Sequence, residues 1–475
     1  MQILEKDFVV FQIPTPCLSQ FAYYVESDGD AAIIDPLRDV SPYLEFLKAR
    51  GVRLRYVIET HFHADYVAGH CALAEATGAE IIIGPNELAQ FEHKKPDDGE
   101  VLRLGKIDLK VLHTPGHTLE SICILLVNPN GDNKQEAVFT GDTLFVGDVG
   151  RPDLAVKSGE VSINDLARHL FTSINKLKQL DDTCKVLPAH GAGSPCGKNL
   201  SSRTYCTIGG QKESNHALQL IDPNEFCATV TSNITEPPQY FKYNVSLNMD
   251  NENVTETSDL LKFSKRKLMV DDITGLKDSQ DYVVLDTRDT PSFEYTHIPG
   301  SVNVPLAGQF AIWAASVISP NKKIIIVCEN NRIDETIIRL ARTGLHNIHG
   351  YLDSGIESWI KAGQPLDSVQ SVDANYLFNY LPGSRDSTIL DVRNKNELEK
   401  GVIENSTLVN LNLLDNKADE YLIKEKEHFL VCAGGVRSVI GYSVLRNKGY
   451  DVKNIRGGFG HLVKAGFRIV KPLIK

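Results

Sequence analysis

The chain has 475 residues, 42% of them hydrophobic and 23% charged, with a net charge of −11. That length suits about three globular domains of roughly 100–200 residues each. The acidic balance argues against nucleic acid or an anionic membrane surface as a partner. The opening MQILEKDFVVFQIPTPCLSQ lacks a basic stretch followed by a sustained apolar one, so no signal peptide is expected. No run reaches the ~18 apolar residues that a membrane-spanning helix needs. Nine scattered cysteines without a CxxC pair read as reduced thiols, which predicts a cytoplasmic protein.

Over the first 220 residues, short apolar runs alternate with helix-like stretches. AAIID (31–35), RYVIET (55–60), AEIIIG (79–84), AVFTGD (137–142) and CKVLPAH (184–190) have the length and β-branched content of buried strands. VSPYLEFLKARG (40–51) and SINDLARHLFTSINKLKQL (162–180) carry helical periodicity, so the pattern is layered α/β. From about residue 223 the chain turns polar (PNEFC, TEPPQY, NMDNENVTETSD), which predicts a linker. The remainder repeats itself. LDTRDT at Leu285 returns as LDVRNK at Leu390, and Gly344 and Gly449 open matching segments at the same offset, giving two related α/β domains of about 105 residues. The expected domains are 1–255 (with the linker), 256–367 and 368–475.

Metal-ligand residues gather at four strand ends. His61, His63 and Asp65 follow RYVIET in THFHAD; His117 lies in TPGHT, Asp142 in FTGD and His190 in LPAHG. Rigid strands aim side chains that adaptable loops carry. Imidazole plus carboxylate suits zinc or iron(II) and is a poor match for magnesium or calcium. One such histidine alone would read as a core or surface residue; the joint pattern predicts a metal site.

The ordered set THFHAD, TPGHT, TGDTLF and PAHG resembles the metallo-β-lactamase superfamily over roughly residues 1–220. The resemblance implies an N-terminal αββα sandwich. Within the superfamily, ETHFHADY, HTPGHTLES, GDTLFVGDVGRPD and PAHGAGSPCG are most similar to persulfide dioxygenases. That implies one Fe(II) per chain on His61, His117 and Asp142, a two-histidine, one-carboxylate triad with positions open to O2 and a persulfide sulfur. Two-metal hydrolases of the superfamily read HxHxDH, whereas Tyr66 takes the final position here. Losing that imidazole favours one metal and leaves His63, Asp65 and His190 to orient ligands or hold water. Arg151 is expected to grip a substrate carboxylate or phosphate, with an ion pair to Asp153 or Asp148 as the plain alternative. The implied reaction turns R-SSH, O2 and water into R-SH and sulfite. The rival expectation is a glyoxalase II-like thioester hydrolase with two metals.

In the last domain, HFLVCAGGVRSVIGYSVLRNKGY (428–450) reads as a strand, a tight loop and a helix. Cys432 ends the strand, and Ala433, Gly434, Gly435 and Val436 lead into the helix. Small residues let backbone N–H groups point at the sulfur. The helix dipole and Arg437 add positive potential, as a reactive thiol requires. This loop, LDVR (390–393) and RGGFGHLVKAG (456–466) resemble rhodaneses, which implies that Cys432 is a nucleophile carrying sulfane sulfur and that Arg437 assists it. The middle domain keeps the upstream motif LDTRDTPSFEYTHIPGSVNVPL (285–306). Its loop IVCENNRIDET (326–336) puts Glu329 and Asn330 where small residues belong, Ile333 in place of the arginine, and Asp334 and Glu335 beyond. Acids there raise a thiol pKa, so a degenerate, structural domain with an inert Cys328 is expected. Cys196 in GSPCG, beside His190, reads as a structural thiol, with a sulfur acceptor near the iron as the alternative. The chain as a whole reads as a fusion. Its iron domain makes sulfite from a persulfide of glutathione, coenzyme A or a similar small thiol, and Cys432 forms or uses thiosulfate in sulfide detoxification. A homo-oligomer is compatible with this reading.

Overall fold

The computed structural model describes residues 1–85, 88–155, 160–250, 257–381 and 386–472. It divides into two compact units: Met1–Pro237 with Phe241–Thr257, and Ser258–Lys475 with Pro238–Tyr240.

The first unit holds two six-stranded sheets. In spatial order one runs Gln2–Glu5, Phe8–Thr15, Gln20–Ser27, Asp30–Ile34, Arg53–Ile58 and Glu80–Ile82. The other runs Cys206–Thr207, Lys185–Pro188, Lys134–Gly141, Ile122–Asn128, Ile107–His113 and Val101–Leu104. Alternate residues of both, among them Val10, Tyr23, Ile34, Ile58, Val111, Ile124, Phe139 and Leu187, form one buried core between the sheets. Each such side chain, fully buried, contributes roughly 1.5–3 kcal/mol. Helix Ser41–Arg50 covers the outer face of the first sheet, where Tyr43 and Leu47 pack on Tyr24 and Ile33. Helix Ile163–Leu177 covers the second, started by a capping box between Ser162 and Asp165. This is the expected αββα sandwich. Strands Asp30–Ile34, Arg53–Ile58 and Glu80–Ile82 are mutually parallel, as are Lys134–Gly141 and Lys185–Pro188. Their C-terminal ends therefore deliver Asp35, His61, Asp142 and His190 from neighbouring loops.

The expected linker is corrected. Pro223–Thr231 and Tyr240–Met249 are helices. Phe226, Cys227 and Val230 lie in the core beneath the second sheet. Val245 and Met249 pack against Phe62 and Ile83 under the HxHxD loop. The local signal was present: Asp222 caps the first helix and Pro223 takes its first turn, a pairing that starts helices. Polar composition masked it.

The second unit contains two five-stranded parallel sheets of the same order. One is Lys267–Leu268, Ile348–Leu352, Lys323–Val327, Tyr282–Asp286 and Val302–Asn303. The other is Ser371–Val372, Asp451–Ile455, Glu427–Val431, Ser387–Asp391 and Thr407–Leu408. The repeat in the sequence is thus a repeat in topology. All nine cysteines are free thiols. Among the described residues, no helix is long and apolar enough to cross a membrane.

Candidate functional site

His61, His117 and Asp142 are buried together, with one donor atom of each within 4.8 Å of the others. The outer nitrogen of each ring is spoken for. His61 Nδ1 lies 3.0 Å from Thr60 Oγ1, whose hydroxyl donates to Asp35 Oδ2 at 3.0 Å. His61 therefore donates through Nδ1 and presents the Nε2 lone pair. His117 Nδ1 donates to the Arg151 carbonyl at 3.0 Å and likewise presents Nε2. Both point at Asp142 Oδ2, at 3.8 and 3.5 Å. That oxygen is buried without a hydrogen-bond partner among the described residues. Two fixed imidazole lone pairs and an orphaned carboxylate oxygen fit a metal ion.

The charge states agree. Burial, helped by His63, holds the His61 imidazole well below its usual range, and burial also lowers His117. Burial opposes ionisation of Asp142, but His190, then His61 and His117, outweigh it and hold the carboxyl far below its ordinary range. Neutral imidazoles and an ionised carboxylate are what coordination requires.

The remaining loop residues form a second cluster, with donor atoms of His63, Asp65 and His190 within 4.8 Å of one another. His190 is clamped, donating through Nδ1 to Asp142 Oδ1 at 2.6 Å while Nε2 lies 2.8 Å from Asp65 Oδ2. His63 Nε2 sits 3.1 Å from Asp35 Oδ1 and 3.5 Å from Glu59 Oε2. Tyr66 is fully buried and stacks on His63, with ring centroids 4.4 Å apart. Cys196 approaches Asp142 and His190. Burial, then Asp65 and Asp142, push its thiol up, so it stays protonated.

Arg151 requires a correction. Its side chain is 5% exposed and forms a two-pronged pair with Asp153, both bonds 2.7 Å. It also donates to the carbonyls of Pro195 and Thr235. The guanidinium is engaged by Asp153 and two carbonyls, the plain alternative of an ion pair, and the Arg151 carbonyl orients His117. Sequence reading missed Asn248. Its amide donates to the carbonyls of His63 and Tyr66 at 2.8 and 2.9 Å and accepts from Ala68 N at 2.9 Å, fastening the HxHxD loop from a distant helix.

Residues 15–190 match the metallo-beta-lactamase superfamily, and residues 269–362 and 376–465 each match the rhodanese-like domain. A hydroxyacylglutathione hydrolase of Prochlorococcus marinus strain MIT 9211 is 30% identical over 189 residues, which span 39% of this chain and 70% of that protein. The chain belongs to the metallo-β-lactamase superfamily. Two rhodanese-like domains follow its metallo-β-lactamase domain. Among solved structures, a metallo-beta-lactamase from Staphylococcus aureus subsp. aureus COL is 29% identical with a TM-score of 0.66, covering 73% of this chain and 99% of its own. An ETHE1 structure from Myxococcus xanthus is 29% identical with a TM-score of 0.43, covering 50% of this chain and 97% of its own.

In the last rhodanese-like domain, Cys432 follows strand Glu427–Val431, and helix Val436–Asn447 begins four residues on. Gly435 turns the loop at φ 102° and donates its N–H to Cys432 Sγ at 3.1 Å. Gly458 lets the RGGFG segment close over the loop, since a Cβ there would stand 2.5 Å from Ala433 O. Arg437 lies near the sulfur, but its two terminal nitrogens bind Glu397 at 2.6 and 2.7 Å. The positive charge expected at the cysteine is therefore largely neutralised. In the middle domain, burial pushes the Cys328 thiol up to about 11, with Asp286 and Glu329 adding to it. Ile333 stands where Arg437 stands in the last domain, and Arg332 is paired with Glu335.

Proposed function

We propose that the metallo-β-lactamase domain is an iron-dependent persulfide dioxygenase and that Cys432 is the sulfane-sulfur carrier of a sulfurtransferase coupled to it. One observation carries the first half. His190 is held between Asp142 and Asp65, and His63 between Tyr66 and the Asp35–Glu59 carboxylates. Asp65 Oδ1 and Oδ2, His63 Nε2 and His190 Nε2 lack a hydrogen-bond partner among the described residues, as Asp142 Oδ2 does. But buried Tyr66, stacked on His63, stands where a further imidazole would complete a second site, while His61 Nε2, His117 Nε2 and Asp142 Oδ2 are turned to a common point. That supports one ion rather than two.

Iron on these three donors would supply the redox chemistry that joins oxygen to the outer sulfur of R-SSH. The balance is R-SSH, O2 and water to R-SH, sulfite and two protons. The chain's own contribution is positional. Asp35 and Thr60 fix His61, the Arg151 carbonyl fixes His117, and His190 fixes Asp142 through its second oxygen. Cys432 then takes sulfane sulfur in the second half, joining it to sulfite as thiosulfate or running the reverse.

Two observations favour a second reading, hydrolysis of a glutathione thioester at two metals. Donor atoms of His63, Asp65 and His190 also lie within 4.8 Å of one another, and the Prochlorococcus marinus relative is a hydroxyacylglutathione hydrolase. The variants separate the halves. With glutathione persulfide under air, Asp142→Ala abolishes sulfite and oxygen uptake, whereas Cys432→Ser keeps oxygen uptake and yields sulfite without thiosulfate. Thiosulfate from Cys432→Ser would overturn the assignment of that cysteine, and full oxygen uptake by Asp142→Ala that of the metal site.

A further inference from the structure

Within the second unit, a cleft of about 310 Å³ opens over Cys432. The last domain lines it with Asn394, Glu397 and Arg437, and the middle domain contributes Gln309 and Trp313. Those two residues sit at the start of helix Phe310–Val317, in which Phe310, Ala311, Ile312, Ala314, Ala315 and Val317 are buried. A helix buried on almost every side is wedged between neighbours. Trp313 departs from that pattern: it is half-buried and turned to the cleft.

The wall is bolted in place. Asn303 N donates to Ser443 Oγ at 3.2 Å, and Asn447 Nδ2 donates to Gly300 O at 2.8 Å. Both partners lie on Val436–Asn447, the helix that starts at the Cys432 loop. Gly300 and Asn303 belong to the HIPGSVN stretch that survives in the middle domain, so the motif persists as a fastening.

Size and charge then select the ligand. A cleft of about 310 Å³ holds on the order of ten waters at roughly 30 Å³ each and reaches the lower end of pockets for organic molecules, about 300 Å³. An inorganic oxyanion leaves most of it empty. Arg437, the only cation among the described lining residues, is already paired with Glu397. A small oxyanion donor leaves room beside it, and an indole face, two carboxamides and an ion pair match the carbon skeleton, amides and charged ends of a peptide-like thiol as the second substrate.

We propose that Trp313, supported by Gln309, is the specificity-determining wall of the Cys432 site and seats a low-molecular-weight peptide thiol as acceptor of the sulfane sulfur. This rests on Cys432 as the sulfur carrier. In the loading step Cys432 thiolate takes the outer sulfur of thiosulfate, an S–S bond forms to Cys432, the S–S bond of thiosulfate breaks, and sulfite leaves. In the second step the acceptor thiolate attacks that outer sulfur, R-S-S⁻ forms, and Cys432 thiolate returns. No net oxidation occurs.

The test is thiosulfate-to-glutathione transfer by the full chain, with each substrate varied in turn. Trp313→Ala is expected to raise KM for glutathione about tenfold more than KM for thiosulfate, with kcat nearly unchanged. Trp313→Phe, which keeps an aromatic face, should recover most of that loss. Gln309→Ala provides the same reading with a smaller change should the tryptophan variant fail to fold. Equal changes in both KM values, or none in a folded variant, overturn the proposal. Transfer that persists in Cys432→Ser would instead overturn the sulfur-carrier reading beneath it.

Discussion

At the residue scale, the site depends on hydrogen bonds that aim its donors. Asn248 touches no ligand, yet it holds the carbonyls of His63 and Tyr66. Asn248→Ala should weaken metal affinity about 10–100-fold, read by titrating metal into the apo-chain, with the unfolding transition retained. Tyr66→His places an imidazole at the final position of the HxHxDH pattern, and metal content per chain should rise above one; no rise would mean that the clamp on His190, rather than Tyr66, sets the count. The candidate ligands were legible because their motifs are short and each sits at a strand end. Asn248 was not, since it acts 185 residues from His63 in the sequence. Arg151 shows the opposite limit: its sequence context advertised a binding cation, and only three-dimensional packing revealed that Asp153 and two carbonyls absorb it.

At the element scale, loop geometry fixes what the motifs can do. A Cβ on Gly150 would stand 2.0 Å from Asp142 O and 3.0 Å from His117 Nδ1. Gly150→Ala should therefore cost about 1–3 kcal/mol in denaturant unfolding and lose metal as well. The Glu397–Arg437 pair gives a pH signature. Burial opposes ionisation of Glu397, but Arg437 outweighs it and holds the carboxyl below its ordinary range. A folded value below the unfolded one means stabilisation above the ordinary carboxylate value of about 4.3, lost as pH falls through the lowered value. The stability gap between the parent chain and Glu397→Gln should thus shrink from neutral pH into acid, measured by denaturant titration at each pH. The strands of the sandwich were readable from their β-branched runs, and the repeat from its constant offset. The helices after residue 223 were not, because their burial depends on apolar residues spaced among polar ones, as Phe226 and Val230 are.

At the scale of the whole molecule, two chemistries share one chain: a metal-ligand cluster in the first unit and a cysteine loop in the second. Chelation should abolish oxygen uptake and leave thiosulfate sulfurtransfer intact, and a Cys432 variant should do the reverse. The chemistry proposed for the first unit is a single redox metal acting on a persulfide. Its most direct test is the metal content of an active preparation, measured alongside oxygen uptake with glutathione persulfide. One iron per chain, with oxygen consumed and sulfite formed, is the predicted result. Two zinc ions per chain, no oxygen uptake and rapid hydrolysis of a hydroxyacylglutathione thioester would contradict it.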